Sequence, residues 1–390
     1  MKKNYLITTA GKFHHFEVAR VMFDNNQLSK IVAGYPWFKL KKEKIPKNLV
    51  EAHGIHRILR EPLVRKNFFK KLDDILNIWS TKNLDRITSK CIDENKDIDV
   101  LIGQSKCALN SGKKIKNNGK IYICERTSTH IVYQNNILTE EYESLGLKFK
   151  QFDKWYIDRE IKEYDCADLI LVPSNFVKST FSENYLSKIR VLEFGVNINN
   201  FFRNEKIEKS KKYFDILFLA QKSIRKGLHY ALEAFNKFKH PHKRLHIIGS
   251  DTSDKYFFKN KINDEKIINY GHIEHSKLND LINFCHVYVL PSIEDGFATS
   301  ILQVASAGCP VIVTENTGSG DFVRKSNCGF VVPIRNSVSI VEKLNNLAEN
   351  HQLLEQLSMN GQGYLKKHDW NTYVKNLELI INEFLKNNKI

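Results

Sequence analysis

The sequence predicts an α/β protein of two domains, each organised around a parallel β-sheet. Its 390 residues are enough for two domains of ordinary size, each with a core of its own. Short apolar and β-branched runs alternate with stretches of helical periodicity, which is typical of parallel strands joined by helices. Residues 197–212 are polar, charged and without periodicity, and they predict a linker. We expect a first domain over residues 1–200 and a second over residues 201–369.

Each predicted strand is a short apolar run, and most of these runs are followed by a stretch with helical spacing. In the first domain the predicted strands are residues 5–7, 28–35, 99–103, 120–124, 169–172 and 189–192. In the second domain they are residues 214–219, 245–249, 267–271, 287–290, 311–314 and 329–333. The predicted helices are residues 13–23, 107–117, 161–168, 177–185, 228–238, 278–284, 299–307, 338–347 and 353–365, with a last helix that begins at Trp370.

The composition is that of a globular protein and not of a disordered chain, with 42% hydrophobic and 27% charged residues. Seven scattered cysteines form no C-x-x-C pair and no histidine cluster accompanies them, so neither a disulfide framework nor a zinc site is indicated. The N-terminus resembles a first strand more than a signal peptide, and no run of about 18 apolar residues occurs. These features favour a cytoplasmic protein without a membrane span.

A basic segment at residues 39–71 carries half of the chain's net charge of +16. It contains eleven lysines and arginines against three glutamates, a local net charge of +8. Trp37, Phe38 and Leu40 are among the large apolar residues interleaved with these charges, as expected of a segment on an anionic membrane surface. A solvated helix face with a few core anchors explains the segment about as well. Contact with the inner face of the membrane is therefore one of two open interpretations.

Residues 287–320 predict an anion-binding site. The stretch gives a buried strand, an acidic turn at residues 292–297, a helix of small and apolar residues, and a second buried strand. Such a unit places the turn and the helix N-terminus at the carboxyl edge of a parallel sheet, where backbone N–H groups and the helix dipole favour an anion. Phosphate is the obvious candidate.

A second loop suited to phosphate precedes the predicted helix at residues 228–238. This loop carries Lys222, Arg225 and Lys226, and basic groups that enter a helix are well placed to neutralise a diphosphate. Taken singly, Arg225 and Lys226 could be a solvated basic turn, and Asp295 in the first loop an ordinary acidic turn residue. The presence of both loops in one α/β domain favours the phosphate site.

The turn and helix at residues 295–303 resemble the donor-binding signature of the retaining nucleotide-sugar glycosyltransferases of family 4. That signature has a glutamate, then Gly or Pro, Phe and Gly, and a second glutamate after seven intervening residues. Here Asp295 stands at the first position, Ala298 replaces the glycine and Gln303 stands at the last position. The resemblance extends from the N-terminus through Trp370. It implies the GT-B fold, in which two Rossmann-like domains face each other across a cleft and a C-terminal helix, here residues 370–390, crosses back to the first domain.

The first domain resembles bacterial polysaccharide-assembly members of the same family. These share an arginine, three small residues, a histidine and an isoleucine, as at residues 126–131, and a later pair of glutamates, as at Glu140 and Glu141. The resemblance implies that His130 faces the cleft, and the alternative is a histidine at a helix N-terminus that faces water. His14 and His15 lie beside the loop after the first strand, either near the acceptor or as ordinary residues of a helix start.

The resemblance also assigns residues to the parts of a donor, which would be a UDP- or GDP-sugar. Arg225 and Lys226, together with the backbone N–H groups of residues 297–299, would stabilise the leaving diphosphate. Gly11 would lie across the cleft from the donor, although on sequence alone it predicts a plain turn. The other donor-binding residues implied are His272 and Ile273 at the nucleobase, Asp295 at the sugar hydroxyls with Glu294 as a substitute, Gly296, Phe297, Ala298 and Thr299 in the turn, and Gln303 at the ribose.

The implied reaction moves the sugar to a glycan or lipid-linked acceptor, as in the synthesis of a surface polysaccharide. It proceeds with retention of anomeric configuration, and the leaving phosphate accepts the proton of the acceptor. Asp295, His130, Arg225 and Lys226 are the candidate catalytic residues. The resemblance implies no covalent intermediate and no required metal or other cofactor.

Two other functions remain open at this point. A GT-B sugar-nucleotide epimerase would share the fold but would need acid and base residues that flank the sugar, for which Glu125 and His130 are candidates. A basic anion-binding protein without catalysis would explain the net charge alone. The sequence contains no RNA- or DNA-binding motif, so we expect no nucleic-acid partner.

Overall fold

Two parallel β-sheets, one in each half of the chain, form the framework of the protein. The computed structural model describes residues 2–54 and 70–388. Residues 55–69, which belong to the basic segment, lie outside the described residues, as do residues 1, 389 and 390.

The first sheet has seven parallel strands in the order β3-β2-β1-β4-β5-β6-β7. The chain adds β2 and β3 on one side of β1 and then crosses to its other side, where β4 to β7 follow. The strands are β1 (Tyr5–Thr9), β2 (Leu28–Ala33), β3 (Val50–Ala52), β4 (Val100–Gln104), β5 (Ile121–Glu125), β6 (Leu169–Val172) and β7 (Ile189–Val191).

The second sheet has six parallel strands in the order β10-β9-β8-β11-β12-β13. The strand order reverses between β8 and β11, and the crevice at such a reversal is where open parallel sheets bind ligands. The strands are β8 (Phe214–Leu219), β9 (Lys243–Ile248), β10 (Ile267–Gly271), β11 (Val287–Leu290), β12 (Val311–Thr314) and β13 (Gly329–Val332).

Helices cover the sheets and complete the α/β layers. Within the described residues, those up to the end of the first sheet are α1 (His15–Asp24), α2 (Trp37–Leu40), α3 (Lys70–Glu94), α4 (Leu109–Asn117), α5 (Ile131–Ser144), α6 (Lys154–Cys166), α7 (Asn175–Ser179) and α8 (Glu183–Leu186). Those that follow are α9 (Leu228–Lys237), α10 (Lys255–Phe258), α11 (His275–Phe284), α12 (Thr299–Ser306), α13 (Gly320–Ser326), α14 (Ser337–Glu349), α15 (His351–Leu365) and α16 (Trp370–Asn388).

The predicted α/β class with parallel sheets is confirmed, and each predicted strand is present within a few residues of its expected bounds. Two predicted helices were wrong in extent. The helix expected at residues 161–168 begins at Lys154, because the Asp153 side chain accepts a hydrogen bond from the Trp155 N–H at 2.8 Å and caps it. The helix expected at residues 177–185 is two short helices, α7 and α8. Strand β3 and helices α2, α3, α5, α10 and α13 were not predicted.

Both sheets are buried on their two faces, which explains why their strands are continuous apolar runs rather than alternating ones. All five residues of β1 are buried, and so are the four residues each of β6, β11 and β12. The carboxyl ends of the strands carry most of the polar side chains of the site described below.

Helix α16 returns from the second half of the chain to the first domain and packs on α1. Its buried residues are Tyr373, Val374, Leu377 and Ile381, a stripe at helical spacing. The crossing helix implied by the resemblance is therefore present. Among the described residues no helix combines the length and the apolar character needed to cross a membrane.

The carboxyl edges of the two sheets face each other, and the loops that follow the strands meet between them. The closest approach is at Gly296, after β11, where a Cβ atom would lie 2.0 Å from the carbonyl oxygen of Thr127, after β5. Ser174, after β6, also donates from its hydroxyl to the Gly296 carbonyl oxygen at 3.0 Å. Glycine is thus required where the backbones of the two domains touch.

We expect Gly227→Ala to destabilise the protein by more than about 2 kcal/mol. Gly227 precedes α9 with a left-handed φ of +71°, and a Cβ atom would lie 1.7 Å from the Pro291 carbonyl oxygen. Gly363→Ala is the matched control, since a Cβ atom there meets nothing within 4 Å inside α15. That change should stabilise by about 0.5–1 kcal/mol. Thermal unfolding followed by circular dichroism measures both, and equal midpoints for the two variants would contradict the assignment.

Candidate functional site

A cavity of about 550 Å³ lies between the two domains, at the carboxyl edges of both sheets. The first domain contributes the ends of β1, β4 and β5 together with α5 and the chain that follows it. The second domain contributes the loops after β8 and β9. The residues that line this cavity include Phe13, Lys106, Arg126, Gln134, Tyr142, Phe149, Phe152 and Arg225.

Arg225, one of the predicted diphosphate-binding residues, lines this cavity from the loop after β8. Its Nε donates to Glu294 Oε2 at 2.7 Å. The Arg225 side chain is 29% exposed, whereas the Glu294 side chain is 0% exposed. The pair therefore presents a cation to the cavity and keeps the compensating carboxylate behind it.

Glu294 joins the two domains. The backbone N–H and the hydroxyl of Thr129 donate to its Oε1 at 3.0 and 2.8 Å, and Gln134 Nε2 donates to its Oε2 at 2.9 Å. Burial alone would raise the pKa of Glu294, but Arg225 and the Thr129 N–H lower it to about 2. We expected Glu294 to be available to sugar hydroxyls as a substitute for Asp295. Its two oxygens are instead occupied by groups of the protein.

The hydrogen bonds continue from Glu294 into the first domain. Gln134 Oε1 accepts from Arg126 at 2.9 Å, and Arg126 in turn donates to Glu160 at 3.1 Å and to the Thr129 carbonyl at 2.8 Å. Arg126 and Glu160 are buried. A buried polar network with its partners satisfied fixes relative position, because a shift of either domain would leave charges unpaired in a low-dielectric interior.

Lys226 and Asp295, two predicted catalytic residues, form an ion pair with each other. Asp295 is buried, and its backbone joins the loop after β12, since its N–H donates to the Asn316 carbonyl at 3.0 Å and its carbonyl accepts from the Gly318 N–H at 2.8 Å. The structure thus places the predicted phosphate-binding cation beside the predicted sugar-binding acid. The two residues neutralise each other until one of them meets a ligand.

The turn before α12 offers fewer free backbone N–H groups than the sequence predicted. The Ala298 N–H, one of the amides expected to face phosphate, donates to Ser319 Oγ at 3.1 Å. The Phe297 ring is buried against Phe194, with ring centroids 5.4 Å apart. Gly296 is covered by the first domain, as described above. Of the three amides at residues 297–299, that of Ala298 is therefore engaged within the protein in this conformation.

Thr299 and Gln303 line a second, smaller cavity of about 330 Å³ at the start of α12. Residues Lys12, Phe13 and His14 of the first domain line its other side. Gly11 is buried just before them, and its carbonyl accepts from the Thr9 hydroxyl at 3.2 Å. The two cavities share Phe13, so the loop after β1 contributes to both of them.

His272 and Ile273 follow β10 at the edge of the second sheet. His272 is exposed and Ile273 is half-buried against the core. Neither lines the two cavities described here. Their assignment to the nucleobase stays a prediction.

His130 does not line either cavity, although we expected it to face the cleft. It caps α5, with its Nδ1 accepting from the Val132 N–H at 3.3 Å. Its ring packs in an aromatic cluster, with centroid distances of 5.4 Å to Tyr164 and 4.9 Å to Phe181. Burial, and then Arg126 nearby, lower the pKa of His130. These contacts support a structural position within the first domain and give no support to the predicted catalytic role.

A cluster of His14, His15 and Glu125 was not predicted as a unit. The His14 Nε2 and Tyr373 hydroxyl lie 2.9 and 3.1 Å from Glu125 Oε1, and the ligand-type atoms of the three clustered residues lie within 4.8 Å of one another. Burial would raise the pKa of Glu125, but the two histidines hold it well below its usual range. Two adjacent histidines and a glutamate at a strand end were visible in the sequence, but their proximity depends on the fold.

The second domain matches a known family model over residues 200–364, which is less than half of the chain. The description of that model is Glycosyl transferases group 1. Residues 200–364 therefore resemble a glycosyl transferases group 1 domain. This domain carries Arg225, Lys226, Asp295 and Gln303.

Curated relatives include the capsular polysaccharide biosynthesis glycosyltransferase CapM of Staphylococcus aureus. It is 25% identical over 253 residues, which cover 59% of this chain and 65% of the relative. The N,N'-diacetylbacillosaminyl-diphospho-undecaprenol alpha-1,3-N-acetylgalactosaminyltransferase of Campylobacter jejuni is 23% identical over 212 residues, 52% of this chain and 56% of the relative. The chain thus matches 65% and 56% of the lengths of these two relatives.

Solved structures resemble the whole chain in fold. Anabaena HepE in complex with UDP has a TM-score of 0.70 at 13% identity, with 98% of this chain and 100% of that chain covered. A glycosyltransferase from Rickettsia africae has a TM-score of 0.69 at 19% identity, with 99% and 100% covered. The two-domain GT-B architecture is therefore confirmed over the full chain and not only over residues 200–364.

We expect Glu294→Gln to lower the midpoint of thermal unfolding at pH 7. We also expect the midpoint of this variant to fall less steeply with decreasing pH than that of the wild type. Because the pKa of Glu294 is lowered to about 2 in the folded protein, the carboxylate stabilises the fold above its ordinary pKa near 4.5. That stabilisation, about 3 kcal/mol, is lost as pH falls from about 4.5 towards 2.

Midpoints measured between pH 7 and pH 3 test this expectation. The matched control is Glu205→Gln, which makes the same charge change at an exposed position of the second domain. If the wild type and Glu294→Gln lost stability in parallel through the acid range, the pairing of Glu294 would not be the source of the acid sensitivity.

Proposed function

We propose that the protein is a retaining glycosyltransferase that moves a sugar from a nucleotide-diphosphate sugar to a glycan or lipid-linked acceptor. The observation that carries the proposal is the meeting of two loops at the carboxyl edge of the second sheet. One holds Arg225 and Lys226, the other holds Glu294 and Asp295, and each cation contacts one of the acids. This edge faces the interdomain cavity and belongs to the domain that matches glycosyl transferases group 1.

The charges of these loops suit departure of a diphosphate. Breaking the bond between the anomeric carbon and the diphosphate oxygen leaves negative charge on the phosphate. Cations that the protein holds in place stabilise this charge as it develops in the transition state. Arg225 is oriented by a buried carboxylate, so it needs little rearrangement to act. Lys226 is released from Asp295 when the diphosphate takes its place, and Asp295 is then free to accept from sugar hydroxyls.

Retention follows in this proposal from attack on the face that the leaving group vacates. The acceptor hydroxyl forms the new bond to the anomeric carbon, and its proton passes to a phosphate oxygen of the leaving group. No protein carboxylate is then needed as a base. This is consistent with the structure around the two acids, since Glu294 is paired with Arg225 and Asp295 with Lys226.

The donor and the biological role are inferred from relatives. HepE was solved in complex with UDP and with UDP-glucose, which supports a nucleotide sugar as the donor. CapM is named for capsular polysaccharide biosynthesis, and the Campylobacter enzyme for a diphospho-undecaprenol acceptor. We therefore propose surface-polysaccharide synthesis as the role of this protein, with a UDP- or GDP-sugar as donor. A cytoplasmic location and a reaction without a required metal are further parts of the proposal.

The contacts of Glu125 and His130 do not favour the epimerase alternative, for which these residues were the candidate acid and base. His130 packs among aromatic rings, and Glu125 is engaged by His14 and Tyr373. Neither residue lines the interdomain cavity.

A donor panel tests the proposal directly. The protein is incubated with UDP- and GDP-sugars, first alone to detect hydrolysis and then with candidate acceptors, and products are followed by mass spectrometry. Nuclear magnetic resonance of the new linkage reports whether the anomeric configuration is retained. Absence of hydrolysis, transfer and binding across the panel would refute the proposed function, and inversion would refute its retaining part.

Lys226→Ala should reduce the rate of sugar transfer about 100-fold, because it removes a cation from the leaving diphosphate. Lys226→Arg should restore part of the rate, since the charge is kept. The matched control is Lys266→Ala, at an exposed position of the same domain. Initial rates at saturating donor measure the effect. Wild-type turnover by Lys226→Ala would show that this residue does not contact the diphosphate.

The proposal includes contact of the basic segment with an anionic membrane surface. In its described part Lys41, Lys42, Lys44 and Lys47 are exposed. The neighbouring Phe38 is 58% exposed, which is unusual for a phenylalanine and suits insertion among lipid headgroups.

Replacing both Lys41 and Lys42 by alanine should weaken binding to liposomes of anionic lipid by about 30-fold, since each lysine near the surface contributes about 1 kcal/mol. Co-sedimentation with vesicles that contain phosphatidylglycerol measures this binding. Replacing Lys211 and Lys212, which are exposed in the second half of the chain, gives a control with the same loss of charge. Equal binding by the two double variants would contradict the membrane assignment.

A further inference from the structure

Lys106 has a backbone conformation that lysine rarely adopts. It follows β4 at the edge of the interdomain cavity with φ of +79°, in the left-handed region. Its N–H donates to Glu163 Oε2 at 2.6 Å, and its carbonyl accepts from Arg159 Nε at 2.6 Å. Both partners are buried residues of α6. The fold therefore maintains a strained residue, and such strain is concentrated at functional positions.

The side chain of Lys106 is held at the cavity wall. Its Nζ lies 3.2 Å from Glu160 Oε1 and 5.5 Å from the ring centroids of both Phe152 and Tyr156. The lysine side chain is 32% exposed, whereas that of Glu160 is 0% exposed. Glu160 also contacts Arg126, so one carboxylate serves two cations. Among these three groups the positive charges outnumber the negative ones by one.

Arg225 is a second cavity-lining cation that is paired with a buried acid. It is a partly exposed cation backed by a fully buried acid, and it belongs to the second domain. The cavity therefore has one such cation from each domain. Four aromatic residues, whose rings suit contact with a sugar, also line the cavity: Phe13, Tyr142, Phe149 and Phe152.

We propose that Lys106 binds a phosphate group of the acceptor, so that the acceptor is a sugar phosphate ester. This inference rests on the proposed function, in which Arg225 and Lys226 take the donor diphosphate. A second partly exposed cation that lines the same cavity then serves the other substrate. The aromatic residues position the acceptor sugar while Lys106 fixes its phosphate end.

Lys106→Asn is the test variant, because asparagine tolerates left-handed φ and removes the charge without adding strain. Lys150→Asn is the matched control, since Lys150 is exposed, pairs with Asp74 and does not line the cavity. The probes are glucose, galactose and N-acetylglucosamine 1-phosphates and the corresponding neutral methyl glycosides. Calorimetric titrations are made with and without saturating UDP or GDP.

At least one sugar 1-phosphate should bind the nucleotide-saturated wild type more tightly than its methyl glycoside. Lys106→Asn should weaken that binding about 10-fold or more and leave the neutral glycoside unchanged, because a charge-assisted contact is lost. Lys150→Asn should match the wild type. Decyl phosphodiesters of the same sugars distinguish the source of the phosphate: tighter binding than the free 1-phosphate indicates a lipid-linked acceptor, and equal binding indicates a soluble one.

Equal binding of phosphate and neutral probes, or equal affinity in Lys106→Asn and the wild type, would overturn the inference. Failure of the proposed function is seen separately, as absence of UDP or GDP binding. In that case the comparison of Lys106→Asn with the wild type is read without nucleotide, so the phosphate site at Lys106 is still decided.

Discussion

The buried carboxylate of Glu294 is the interaction on which the arrangement of the two domains depends. It belongs to the loop after β11 but receives three hydrogen bonds from Thr129 and Gln134 of the first domain, and a fourth from Arg225 of its own. A buried charge without partners is costly, so the two domains are stabilised in the one orientation that satisfies it. The low pKa of Glu294 expresses the same preference for the charged, fully bonded state.

This constraint connects the geometry of the domains to the chemistry of the cavity. Arg225 is held by Glu294, and Lys226, the next residue, is held by Asp295, the residue after Glu294. Two adjacent cations therefore pair with two adjacent acids. Glu294 of the first pair also bonds to the other domain, whereas the pair of Lys226 and Asp295 lies within one domain. A ligand that takes Lys226 away from Asp295 leaves the Glu294 interactions intact.

The sequence predicted the strands well because both sheets are buried on two faces, so each strand is a continuous apolar run. It did not predict β3, a three-residue strand that contains Glu51 and lies within the basic segment. For the site, local motifs identified Arg225, Lys226 and Asp295, whose partners lie in neighbouring loops of one domain. The first-domain partners of Glu294 are about 160 residues distant along the chain, and no local pattern identifies them. His130 was assigned by resemblance, and its aromatic neighbours come from α6 and from the segment around α8.

Helix α16 makes the first domain discontinuous along the chain. Tyr373 contacts the Glu125 cluster, and the buried stripe of α16 completes the core beside α1. During synthesis on the ribosome the first domain is made first, yet it lacks this helix until the second domain has been made and can fold. The core beside α1 is therefore completed only after residues 370–388 have been made. Until then the apolar surface of α1 that α16 covers stays exposed while the second domain is made.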